Sequence, residues 1–178
     1  MSKIEEKIEE LVSPVISELG YSIYDIVYSK EHDGNYLSIF IDNDMGIGVD
    51  DCEKVNNSVE DIIDKANLIK DNYFLVISSP GIERNIRKDS HLEKAKNTKI
   101  QVNLYKALEV DKDLGKELIG KLVDFDEKTI TIEIEPNKKI SKTKLKKMKR
   151  ENIDELNQNK IVLINRELIS TMKTVYEW

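Results

Sequence analysis

The chain has 178 residues, 39% of them hydrophobic, with 28 basic and 34 acidic side chains and a net charge of −6. That apolar share supports a packed core and excludes wholesale disorder, and runs such as Phe74–Ile77 and Ile161–Ile164 fall far short of the roughly 20 apolar residues of a membrane span. A single cysteine, Cys52, excludes an internal disulfide, and with only His32 and His91 beside it a zinc site is not supported.

The first helix is predicted from Ile4, Ile8, Leu11, Val12, Val15, Ile16 and Leu19, which recur at three and four. Ser2 with Glu5 makes a capping box, and Gly20 is a stop. Pro14 inside this span predicts a kink or a fresh start near Ser13. Two strands follow, Tyr21–Ser29 and Tyr36–Asp42, with Asp33-Gly34 as the hairpin signal. A second helix starts around Gly48–Asp50 and carries Val55, Val59, Ile62, Ile63 and Ala66 as its stripe, with Cys52 as small core filler. Tyr73–Ser78 is a third strand, apolar enough to be central. Two helices on one face of three strands make a small α+β domain.

From Lys99 onward the pattern changes to short alternating strands. Ile100, Val102 and Leu104 face one way, followed by Leu118–Phe125, Lys128–Ile134, Lys160–Ile164 and Thr171–Tyr176. Five short strands in some 80 residues predict a closed SH3-like or Sm-like barrel, which hides its sheet edges. The expected division is therefore 1–97, an α+β domain, and 98–178, a β-barrel domain with a Lys-rich insertion at about 136–159. The charge divides with it. Residues 1–97 carry 11 basic and 20 acidic side chains, and residues 98–178 carry 17 and 14. An acidic half fits a basic partner and a basic half fits nucleic acid, although both faces can equally be solvated charge.

No segment carries an enzyme's signature. A phosphate-cradling glycine loop is absent, and so is a His with a nearby Ser and acid. Asp42, Asp44, Asp50 and Asp51 do not match a calcium loop, and acids are favoured at a helix start in any case. No catalytic residue, metal or cofactor is expected. The most unusual local feature is Ser78-Ser79-Pro80-Gly81, where Pro and Gly suit the central positions of a type II turn. Arg84, Arg87 and Lys88 follow, with only Glu83 among them as an acid. Hydroxyls, backbone N–H groups and guanidinium forks together suit a phosphate, and the alternative is a connecting turn with solvated basic residues. Between Pro136 and Asn159 lie Lys138, Lys139, Lys142, Lys144, Lys146, Lys147, Lys149 and Arg150, with no acid before Glu151. That run favours an acidic partner such as RNA. Known RNA-binding signatures are otherwise missing. No two glycines are three apart, and Phe40, Phe74 and Phe125 belong to different elements.

The segments Leu19–Tyr28, Leu37–Asp42, Gly46–Glu53 and Leu75–Arg84, with Ser78–Arg84 the most specific piece, resemble in order and spacing the RimP family of bacterial ribosome maturation factors. Gly120–Phe125 and Met172–Trp178 look like that family's C-terminal barrel. The resemblance implies a non-enzymatic protein that joins an α+β domain to an Sm-like barrel; the lack of a visible signal or span leaves a cytoplasmic protein, and a second domain of nearly 100 residues favours a monomer over a ring. It implies binding to the small (30S) ribosomal subunit during assembly, with 16S rRNA and ribosomal protein S12 as contacts. Ser78, Ser79, Gly81 and Arg84 are then contact or positioning residues. Asn85 stands where the family motif has proline, and the Lys-rich insertion departs from shorter members, so its role rests on charge alone. The alternative is an Sm-like RNA-binding regulator acting on transcripts.

Overall fold

The computed structural model describes residues 2–108, 114–135 and 159–176. Two compact units divide between Gly81 and Ile82, ahead of the expected division at Asn97. The reason is that Ile86, Leu92 and Ala95 are buried in the second core, not the first.

In the first unit, helix α1 (Lys3–Glu18) opens with the expected capping box. The Glu5 N–H donates to Ser2 Oγ at 3.3 Å, and the Ser2 N–H donates to Glu5 Oε2 at 2.6 Å. The other Glu5 oxygen accepts from the Tyr28 N–H at 2.9 Å, which lets this carboxylate be buried while tying the helix start to the sheet. Of the kink or fresh start expected near Ser13, there is no fresh start: α1 runs on through Pro14. The ring lies on the exposed face, as does Glu10, whose carbonyl loses its helical donor there and can turn to water.

Strands β1 (Ser22–Glu31) and β2 (Gly34–Asp42) form a hairpin around His32 and Asp33, with Gly34 already paired to Glu31. A bulge interrupts β1 between Ile23 and Asp25. Helix α2 (Val49–Ala66) then carries the chain over the sheet, so that β3 (Tyr73–Ser78) returns parallel to β2. A parallel return needs such a crossover. Ile8, Val12 and Ile16 of α1 and Val55, Val59 and Ile63 of α2 meet Ile26, Leu37, Ile39 and Ile41 in one core. Cys52 is only half-buried. The strand order is β1-β2-β3, so β3 is an edge strand and not the central one. Its apolar run has two separate origins. Tyr73, Leu75 and Ile77 pack on the core, whereas Phe74 and Val76 point to the opposite, exposed face.

The second unit contains helix α3 (Asp89–Ala95) and strands β4 (Lys99–Leu104), β5 (Glu117–Phe125), β6 (Thr129–Ile134), β7 (Lys160–Asn165) and β8 (Ile169–Thr174). All neighbours are antiparallel, in the order β7-β6-β5-β4-β8. Ile100, Val102, Leu118, Leu122, Ile130, Ile132 and Ile164 fill its core. A single 3-10 turn, Arg166–Leu168, links β7 to β8 although they lie at opposite edges. Four extended links reach only about 14 Å, whereas a flat five-stranded sheet holds its outer strands about 19 Å apart. The sheet is therefore strongly rolled. Among the described residues, no helix is long and apolar enough to cross a membrane.

Candidate interaction surface

The segment that follows β3 holds the sequence-derived residues in two groups, one at the end of each unit. Ser78, Ser79 and Gly81 close the first unit, and Arg84, Arg87 and Lys88 open the second. Gly81 has φ of +75°, the left-handed conformation that the Pro-Gly turn demands. The serines serve the turn itself: the Gly81 N–H donates to Ser79 Oγ at 3.2 Å, and Ser78 Oγ donates to the Ser79 carbonyl at 3.2 Å. A Cβ on Gly81 would meet nothing within 4 Å, so only the backbone conformation restricts this position. Gly81→Val is expected to lower the melting temperature by several degrees, through strain of about 1–3 kcal/mol. Gly81→Asn should cost much less, because Asn tolerates this region. Paired thermal melts check it, and equal melts for the two variants would show that the turn tolerates other geometries.

Arg84 is fixed by its backbone. Its N–H donates to Thr174 Oγ1 at 2.8 Å, and its carbonyl accepts from the Thr174 N–H at 2.9 Å. The Ile86 N–H reaches the Met172 carbonyl at 2.9 Å, and Lys173 Nζ pairs with Glu83 at 2.6 Å. Residues 83–86 thus run antiparallel beside β8, whose residues lie some 90 positions on. The Arg84 side chain is half-buried and that of Arg87 is exposed. The Arg87 N–H donates to Nδ1 of buried His91 at 3.1 Å. Lys88 precedes α3, and its carbonyl accepts from the His91 and Leu92 N–H groups. Asn85 forms an isolated antiparallel bridge to Lys173 of β8. Lys144, Lys146, Lys147, Lys149 and Arg150 lie outside the described residues. By sequence they fall in the connection between β6 and β7, whose ends pair at Ile134 and Lys160.

Of the acids weighed for a cation, Asp51 is committed to structure. It accepts from the Gly48 N–H at 2.8 Å at the start of α2 and from the Tyr21 hydroxyl at 2.5 Å. The Tyr21 hydrogen bond first, and the Gly48 N–H second, hold its carboxyl below the usual aspartate range. Sequence reasoning missed one surface. On the sheet face opposite the helices, the register places Tyr36 beside Phe74 and Phe40 beside Ser78. The rings of Tyr36 and Phe74 lie 5.3 Å apart. The signal was present in the odd-even pattern of β2 and β3, but only their register brings these aromatics onto one face.

The chain thus joins an α-β-β-α-β unit to an all-antiparallel rolled sheet, with Arg84, Arg87 and Lys88 following the turn in sequence. Residues 11–83 match the family model for the RimP N-terminal domain, from the middle of α1 to just past the Pro-Gly turn. The match spans 73 of the 178 residues and supports membership of the RimP family of ribosome maturation factors.

Proposed function

We propose that this chain binds the small ribosomal subunit in the cytoplasm during its assembly and acts by holding, not by catalysis. The observation that carries this reading is the family match over residues 11–83. Charge supports a division of labour between the units. Residues 1–81 carry 6 basic and 17 acidic side chains, a net of −11, and residues 82–178 carry 22 and 17, a net of +5. The acidic unit suits a basic ribosomal protein such as S12, and the basic unit suits 16S rRNA. Ser78, Ser79 and Gly81 shape the turn, while Arg84, Arg87 and Lys88 contribute charge beside it. Lys144, Lys146, Lys147, Lys149 and Arg150 add non-specific affinity for phosphate. Closure of the second sheet as an Sm-like barrel fits the short β7–β8 link and would leave no exposed edge. A monomer fits better than a ring, since each copy carries a second unit of 81 residues.

The test is sedimentation of the purified chain with small subunits, large subunits and whole ribosomes at fixed salt. Recovery with free small subunits alone is expected. Equal recovery on large subunits would overturn the proposal. A ring-sized species on gel filtration would favour a regulator acting on transcripts.

A further inference from the structure

The two edges of the first sheet are built differently. The β1 edge carries Asp25, Lys30 and Glu31 and is broken by a bulge, the devices that blunt an edge against further pairing. The β3 edge has none of these. Tyr73–Ser78 contains no charge and no proline, its register with β2 is unbroken, and β2 is its one strand neighbour among the described residues. Phe74 and Val76 beside this edge are 58% and 37% exposed. Phe74 also packs against Tyr36, so the apolar strip continues onto β2. An unblunted, uncharged edge flanked by apolar side chains is a template for strand addition.

The charge of the unit selects the occupant. With a net of −11 over residues 1–81, it repels both RNA and a second copy of itself, and it attracts a polycation. We infer that β3 is a docking edge for an extended basic segment of a partner protein, which pairs as a fourth strand and sets alternate apolar side chains against Phe74 and Val76. The inference rests on the reading of the acidic unit as the half that faces a basic protein, and it names the surface used.

The probe is an eight-residue peptide of alternating lysine and valine, titrated into the full chain by fluorescence anisotropy. One comparison peptide has glutamate for lysine, and another has proline for valine. The lysine-valine peptide should bind, and the glutamate peptide should not. The lysine-proline peptide keeps the charge but cannot pair as a strand, and it should bind at least tenfold more weakly. Amides within residues 73–78 should gain hydrogen-exchange protection. Phe74→Lys with Val76→Lys, at exposed positions, should weaken the lysine-valine peptide at least tenfold with an unchanged melt. Glu53→Lys with Glu60→Lys, on exposed α2 positions, raises the charge by four where the β3 variant raises it by two, and should still weaken it less. Four results overturn the inference: no binding to the wild-type chain, equal binding of the lysine-proline peptide, protection of 73–78 by oligouridylate instead, or a self-association that the peptide displaces. Sedimentation of the wild-type chain with small subunits reads the broader function separately. If the wild-type chain sediments and the peptide results fail, only the docking edge falls.

Discussion

Gly120→Ala is expected to lower the melting temperature of the second unit by roughly 5–20 °C. Gly120 is buried in β5, paired with Ile100 of β4, while Lys121 beside it pairs with Glu133 of β6. A Cβ there would lie 2.6 Å from the Glu133 carbonyl oxygen, 3.1 Å from its carbonyl carbon and 3.2 Å from Ile134 Cγ1. The first two are backbone atoms of a strand held on both sides, since Glu133 also pairs with Ile161 of β7. No side-chain rotation can relieve the contact, so the sheet must part or the strand must slide. Overpacking of this kind costs about 1–3 kcal/mol, and a unit of this size loses about 4–8 °C per kcal/mol. Thermal melts of the wild type, Gly120→Ala and Ile119→Ala decide it. Ile119 is the adjacent, more exposed position, and its variant should move little. An unchanged melt for Gly120→Ala would mean that β5 and β6 approach less closely than described.

The same contrast between local and distant causes explains what was legible in the sequence. The stripes of α1 and α2 and the Ser2–Glu5 box depend on residues a few positions apart, so their spacing carried them. The boundary at Gly81 did not show, because Ile86 belongs to the second core through pairing with Met172. Helix α3 has only seven residues, too few for a periodic signal, and its Leu92 and Ala95 form just one i,i+3 pair. The position of β3 was misjudged because an apolar run reads alike at the centre of a sheet and at an edge with an apolar outer face. For the candidate site, the Pro-Gly turn was legible in full, since its chemistry is local. The anchoring of Arg84 by Thr174 was not, because no spacing rule reaches across 90 residues.

Replacing Lys144, Lys146, Lys147 and Lys149 by Gln is expected to change the salt dependence of RNA binding more than any other surface change to this chain. These residues lie in a stretch from Lys138 to Arg150 with eight basic side chains and no acid, so no internal partner within the stretch offsets them. If four of them meet phosphates, each contributes about −0.7 to −0.9 to the slope of log K against log salt, roughly −2.8 to −3.6 together. Over a change from 50 to 200 mM salt, that share corresponds to a loss of roughly 50- to 150-fold in affinity that the variant would no longer show. The fold should be unaffected, because isolated surface charges contribute little to stability. The measurement is a salt titration of binding to a 16S rRNA fragment, for the wild type and the quadruple variant, beside a thermal melt of each. A flatter slope with an unchanged melt assigns the run to phosphate contact. Parallel slopes would mean that the run is solvated charge, and that any rRNA affinity arises from basic residues elsewhere in the chain.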